Sequence, residues 1–106
     1  MKVLRKYVVF VKDLSDDDCI NRRNLARDKH RADIEKMEED GLSLLLCGDL
    51  SDKDGIIRGS SMVYYATDMA QVFAYMQKDT YTSSRVWDMT TVHISELKYE
   101  ITKVVS

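Results

Sequence analysis

Short apolar runs alternate along the chain with two longer stretches of helical periodicity, and their order predicts the fold. Runs rich in Val, Leu, Ile and aromatic residues predict four strands, at residues 6–12, 42–48, 57–66 and 86–97. A mixed-charge helix is predicted over residues 22–40, where Gly41 ends it. With a second helix before the last strand, the order is β-α-β-β-α-β, which is typical of an α+β, ferredoxin-like sandwich with an antiparallel sheet.

The second helix has the clearest pattern in the chain. Asp68 is a good N-cap, and Gln71 follows at the capping-box position. Apolar residues then repeat at helical spacing and predict one stripe packed against the sheet, formed by Met69, Val72, Phe73 and Met76. Asp79 ends this helix, and residues 80–85 form a polar connection with room for one helical turn.

The first two strands are apolar on both faces, which predicts an additional partner. In the first strand, one face carries Tyr7, Val9 and Val11, and the other carries Val8 and Phe10. Two helices can cover only one face of a four-stranded sheet, so the second face needs a cover. A second copy of the chain is the simplest one, and we therefore expect a homodimer or a higher homo-oligomer.

Length and charge narrow the class of protein. The 106 residues correspond to one domain, expected over residues 1–98 with a C-terminal tail at 99–106. The 16 basic and 18 acidic residues give a net charge of −2, which is not the basic footprint of a nucleic-acid-binding protein. No segment is long and apolar enough to span a bilayer. We expect a cytoplasmic protein that has neither nucleic acid nor a membrane as a partner.

The cysteines and histidines do not indicate a metal or redox site. Cys19 and Cys47 form no CxxC motif, so we expect two free thiols, with Cys47 packed as a small core residue. His30 and His93 are too few for a metal site without clustered cysteine or acidic ligands. The sequence therefore predicts neither a bound metal nor an organic cofactor.

His30 occupies an unusual position on the first helix. On a helical wheel it lies near the middle of an apolar arc formed by Ala26, Ile34 and Met37, with Arg27 at the edge. Such a histidine is either a packed core residue with both nitrogens satisfied or a site residue in a partly dry pocket. Helix position alone favours the core residue and leaves the second interpretation open.

A series of short motifs resembles the YciI-like (YCII-related) proteins. The segment Arg27–His30 is similar to the R-x-x-H on the first helix of that family. Further similar motifs follow in the family's order, from about residue 5 to residue 98, namely Cys47-Gly48-Asp49, Asp54-Gly55, Gly59-Ser60 and Asp79-Thr80-Tyr81. The last of these stands where the family usually carries D-P-Y, so this chain lacks the proline, and residues 13–25 are longer and more acidic than in the family.

The resemblance implies a dimeric α+β barrel with an active-site histidine and aspartate, here His30 and Asp79. A carboxylate beside an imidazole fixes its tautomer, and the pair can act as general base and then as general acid. The candidate substrate-binding residues are Arg27, Tyr81 and Ser60. Two alternatives stay open: Arg27 could pair with a neighbouring acid, and Tyr81 could be a half-buried core residue.

The leading functional hypothesis is a small cofactor-free enzyme, a lyase or isomerase that acts on a small organic acid or enol-type metabolite. Elimination of HCl is among the reactions that the resemblance implies. The alternative is a non-catalytic ligand-binding or accessory protein with the same barrel. A related α+β barrel that carries haem or performs oxygenation is disfavoured, because no second iron ligand accompanies His30.

Overall fold

The computed structural model describes residues 3–41 and 43–104, and its elements follow the predicted order. These are β1 (Arg5–Asp13), α1 (Cys19–Glu39), β2 (Ser43–Ser51), β3 (Ile57–Ala66), α2 (Met69–Lys78), α3 (Thr80–Ser83) and β4 (Trp87–Glu96). The strands form one antiparallel sheet in the order β2-β3-β1-β4, so the predicted ferredoxin-like fold is confirmed. None of the helices within these ranges is long and apolar enough to cross a membrane.

Two elements differ from their predicted bounds by more than one residue at one end. The α1 helix begins at Cys19 and not at residue 22, because the backbone N–H of Arg22 donates to the carbonyl of the N-cap Asp18 at 3.2 Å and closes the first turn. The acidic residues before it favour a helix N-terminus. The β2 strand continues through Ser51, beyond the predicted end at residue 48. The predicted first residue of that strand, Leu42, lies outside the described residues.

The core lies between the sheet and the helices. Alternate residues of β1 and β3 point toward the helices and are buried, namely Tyr7, Val9, Val11, Met62 and Tyr64. From the predicted stripe of α2, Val72 and Met76 complete the core at 0% and 1% exposure, whereas Met69 at the helix start remains 46% exposed. Asp68 caps this helix as predicted, since its side chain accepts the backbone N–H of Gln71 at 2.8 Å.

The opposite face of the sheet is uncovered within the described chain. Phe10 is 48% exposed, Leu46 63% and Leu50 40%, and Phe10 pairs with His93 across β1 and β4 on the same face. We call this surface, which comprises Val8, Phe10, Leu46, Leu50 and Val63, the open face. Its exposed apolar side chains match the two-faced pattern of the first strands, and a cluster of this kind often marks a surface that binds a partner.

Gly59 allows β1 and β3 to approach closely. A Cβ built at this position would collide with the carbonyl oxygen of Val11 and lie 3.3 Å from the Cα of Lys12. Because these are backbone atoms, they cannot move aside without separating the two central strands. The glycine therefore fixes the spacing of the sheet next to Ser60, which follows it in β3.

We expect Gly59→Ala to lower the free energy of unfolding by about 1–3 kcal/mol, the usual cost of overpacking. Denaturant unfolding measures this change. Gly48→Ala is the matched control, because a Cβ there meets no atom within 4 Å. Equal stability of the two variants would show that the strand spacing does not depend on Gly59.

Candidate active site

A cavity of about 170 Å³ lies between α1, the strands β2 and β3, and α3. Its volume is close to the roughly 150 Å³ that holds one benzene molecule in a protein interior. A single six-membered ring with small substituents therefore fits. Four of the five predicted site residues line it, namely Arg27, His30, Ser60 and Tyr81, and the fifth, Asp79, lies behind His30.

His30 and Asp79 are joined by a short hydrogen bond. Nδ1 of His30 lies 2.6 Å from Oδ1 of Asp79, and the side chains are 14% and 2% exposed. An ionised carboxylate can only accept, so the neutral imidazole carries its proton on Nδ1. The other nitrogen, Nε2, has no hydrogen-bond partner in the described part of the chain. Every buried side-chain nitrogen in that part has a partner, so Nε2 is not buried. Nε2 therefore faces accessible space as an acceptor.

Asp79 is held in place by two helix ends. Its backbone N–H donates to the Met76 carbonyl at 3.1 Å at the end of α2, and its side chain accepts the N–H of Tyr81 at 2.8 Å at the start of α3. The following Thr80 stands where the D-P-Y motif would carry proline. Its N–H donates to Asp33 of α1 at 2.8 Å, and its hydroxyl donates to the same carboxylate. A proline could not make the first of these bonds.

Aromatic rings form the wall behind His30. The imidazole stacks on Tyr81 with ring centroids 3.8 Å apart and planes 6° from parallel. Trp87 meets both rings edge-on, at 5.7 Å from His30 and 5.5 Å from Tyr81. Burial raises the pKa of the Tyr81 phenol, with Arg23 opposing the change and the Asp49 and Asp79 carboxylates reinforcing it. The phenol therefore remains a neutral hydrogen-bond donor near neutral pH.

Arg23 is a site-forming residue that the sequence did not reveal. It is 3% exposed, and its Nε and Nη1 donate to Asp13 at 2.9 Å and Asp49 at 2.5 Å. Its Nη2 donates to the Ser60 hydroxyl at 2.6 Å, and the guanidinium also lies 4.8 Å from the centre of the Tyr81 ring. The only sequence signal was its position seven residues before His30, which places both on one face of α1.

Two arginines stand at the mouth of the cavity. Arg27 and Arg31 are exposed and one helical turn apart on α1, and both line the cavity. Neither forms an ion pair with any residue in 3–41 or 43–104. The alternative interpretation of Arg27, a pair with a neighbouring acid, is therefore not seen in this part of the chain. Both guanidiniums are available for an anionic ligand.

Cys47 is not a core residue, contrary to the expectation from its apolar surroundings. It is exposed and lines the cavity, whereas Cys19 is buried. Desolvation at the cavity wall raises the pKa of the Cys47 thiol, and the Asp49 carboxylate adds to the effect. The thiol therefore stays protonated near neutral pH and is a poor nucleophile.

No group of three histidine, cysteine or acidic side chains is placed to hold a metal ion among the residues that the structure describes.

Solved structures of other proteins share this fold. The 5-chloro-2-hydroxyhydroquinone dehydrochlorinase from Burkholderia phenoliruptrix, in complex with 2,5-dihydroxybenzoquinone, matches with a TM-score of 0.69 and 15% sequence identity, over 90% of this chain and 95% of its own. A dimeric ferredoxin-like protein from an uncultured marine organism matches with a TM-score of 0.52 and 15% identity, over 93% of this chain and 100% of its own.

A third match shows how widely the fold is used. A REP-associated tyrosine transposase bound to a REP hairpin has a TM-score of 0.62 and 7% identity, over 94% of this chain and 61% of its own. No family model and no curated protein matches the sequence. At these identities the likeness shows the fold, and the chemistry has to be inferred from the site.

We expect neutral His30 to carry its proton on Nδ1 in the wild type and to shift toward the Nε2–H tautomer in Asp79→Asn. The neutral amide accepts the Nδ1 proton more weakly than the carboxylate does. The ¹⁵N chemical shifts of the ring distinguish the two tautomers.

His93 is an internal control in the same spectra, because its Nε2 bonds to Ser95 at 2.9 Å and not to Asp79. An unchanged His30 spectrum in Asp79→Asn would contradict the orienting role of the carboxylate.

Proposed function

We propose that the chain is a YciI-like enzyme, a lyase or isomerase that moves a proton on a small organic acid or enol-type substrate. The observation that carries the proposal is the His30–Asp79 pair beside the cavity, with a 2.6 Å hydrogen bond from Nδ1 and an Nε2 free to act on a ligand. A histidine with an oriented base nitrogen in a partly dry site is the usual general acid–base catalyst.

In the proposed reaction, His30 is the general base and then the general acid. Nε2 takes a proton from a C–H or O–H group of the substrate, and Asp79 stabilises the resulting imidazolium through Nδ1. In an isomerisation the same proton returns to another atom of the substrate. In an elimination the leaving group departs with its bonding electron pair, and His30 passes the proton to solvent. These steps need neither a metal nor an organic cofactor.

Arg27, Tyr81 and Ser60 are proposed to bind the substrate. The guanidinium of Arg27, which forms no ion pair within residues 3–41 and 43–104, suits a carboxylate or an enolate oxygen at the mouth, and Arg31 adds a second cation one turn away. The Tyr81 phenol, whose pKa burial raises, and the Ser60 hydroxyl are two polar groups of the cavity lining that can contact a ligand. A few placed polar groups on a largely preformed cavity are typical of small-ligand sites.

The cavity size supports a ring-shaped substrate. The dehydrochlorinase that shares the fold acts on a chlorinated hydroxyhydroquinone and was captured with a dihydroxybenzoquinone, and about 170 Å³ holds one such ring. The transposase shares the fold and is bound to a REP hairpin, so fold alone does not choose a ligand class. The net charge of −2 argues against a nucleic-acid partner here.

We also propose that the chain forms a homodimer through the open face. Phe10, Leu46 and Leu50 are each at least 40% exposed on that face, and one of the proteins with the same fold is dimeric. Joining two copies by their open faces would cover both sheets and leave the cavities, which lie on the helix side, accessible.

We expect His30→Gln to reduce turnover by about 100-fold or more while the fold and the oligomeric state remain. Glutamine keeps a polar side chain of similar reach but cannot accept and return the proton. A suitable first substrate is 5-chloro-2-hydroxyhydroquinone, with chloride release as the measurement and proton exchange in D₂O as a second readout for enolisable acids.

His93→Gln, at the only other histidine, is the matched control and should retain turnover. Loss of folding together with activity in His30→Gln would favour a core histidine. A wild-type protein that binds these ligands without turnover, with an affinity that His30→Gln leaves nearly intact, would favour the alternative of a non-catalytic ligand-binding protein.

We expect sedimentation equilibrium at micromolar concentration to give at least a dimer, and Phe10→Lys to weaken it by placing a charge on the open face. Leu25→Lys is the control, because Leu25 is 87% exposed on α1, away from that face. A wild-type monomer of 12.3 kDa would contradict the proposed assembly.

A further inference from the structure

Both acceptor positions of the Ser60 hydroxyl are filled by the protein. Its Oγ accepts a hydrogen bond from Nη2 of Arg23 at 2.6 Å and another from the indole Nε1 of Trp87 at 3.0 Å. A guanidinium and an indole can donate but cannot accept. Since a hydroxyl oxygen has two lone pairs, Ser60 has no acceptor capacity left.

The proton of the same hydroxyl has no acceptor in the described residues. Ser60 is 4% exposed, lines the cavity and donates to no residue within 3–41 or 43–104. Arg23 binds the carboxylates of Asp13 and Asp49, and neither of them accepts a hydrogen bond from Ser60. With both lone pairs engaged by Arg23 and Trp87, the O–H proton is the hydrogen-bonding group that Ser60 can still offer to an occupant of the cavity, which His30 also lines.

We propose that Ser60 is an obligate hydrogen-bond donor, and that the cavity therefore favours a ligand with a strong acceptor oxygen at this point, a carbonyl, an enolate or a phenolate, over a neutral hydroxyl, which accepts more weakly and finds no acceptor for its own proton on Ser60. The proposal rests on the proposed function in placing the reacting ligand beside His30. Arg23 acts as a positioning residue, because its charge polarises the Ser60 O–H and its bond fixes the orientation.

This polarity suits the proposed chemistry. When His30 removes a proton from a substrate, negative charge develops on an oxygen conjugated to the reacting carbon. A fixed donor that needs no reorientation stabilises that oxygen more than the neutral ground state. Ser60 would then lower the barrier of the step, and not only bind the ligand.

The probe for this proposal is 4-nitrophenol, a single ring whose ionisation near neutral pH can be followed by its absorbance. Binding titrations at pH values on both sides of that ionisation give separate affinities for the phenolate and the phenol. We expect the wild type to prefer the phenolate by at least about tenfold, the usual effect of a hydrogen bond to a charged group. We expect Ser60→Ala to reduce this ratio by about tenfold.

Two further variants separate a polarity effect from a general disturbance. Ser61→Ala is the matched control, since alternation along β3 places Ser61 on the open face, and it should leave the ratio unchanged. Trp87→Phe removes one donor and frees one lone pair of Ser60. Trp87→Phe should lower the phenolate-to-phenol affinity ratio by strengthening the binding of the neutral phenol. A merely structural role of Trp87 would not strengthen that binding.

An unchanged ratio in Ser60→Ala, or no binding of either form at millimolar concentration, would overturn the proposal. The outcome is independent of the test of His30. If the phenolate-to-phenol affinity ratio depends on Ser60 but the protein has no turnover, Ser60 is a hydrogen-bond donor and the proposed enzymatic function is wrong. If turnover depends on His30 but the affinity ratio does not depend on Ser60, the enzymatic function stands and the proposed role of Ser60 is wrong.

Discussion

The buried guanidinium of Arg23 is the interaction on which the site depends. It connects α1 to β1 through Asp13, to β2 through Asp49 and to β3 through Ser60. Leaving a buried charge without its partners typically costs several kcal/mol, so these elements hold one relative arrangement. Three of these elements, α1, β2 and β3, also line the cavity, and the cavity's shape is therefore partly a consequence of how the protein satisfies one buried charge.

A second connection fixes the other side of His30 on the same helix. Asp33, three residues after His30, accepts two hydrogen bonds from Thr80 of α3. Arg23 precedes His30 by two helical turns and bonds to the strands. The α1 helix is therefore fixed to the strands before the histidine and to α3 after it. The imidazole is thereby presented to Asp79 and Tyr81 by a helix that cannot slide or rotate freely.

Hydrophobic periodicity and helix-capping residues predicted the fold, because both signals depend on residues that are close together in the sequence. The β3 bounds at residues 57–66 and the Asp68–Gln71 cap follow directly from neighbouring residues. The position of Cys47 could not be predicted, since an irregularity between Leu44 and Leu46 shifts the register and turns Cys47 to the helix side, opposite Met62. Burial of Arg23 was also hidden, because a charged residue on a mixed-charge helix looks solvent-facing until three strands supply its partners.

The candidate site could be predicted only in part, because it also depends on contacts between residues that are far apart in the sequence. The helical wheel left His30 as either a core or a site residue, and its pairing with Asp79 came from the family resemblance, since 49 residues separate them. One further consequence follows from Trp87, the single tryptophan of the chain. Its indole nitrogen bonds to Ser60 and its ring packs against His30 in a T-shaped contact, so tryptophan fluorescence reports from one residue directly behind the cavity, and occupancy of the unlabelled protein can be followed optically.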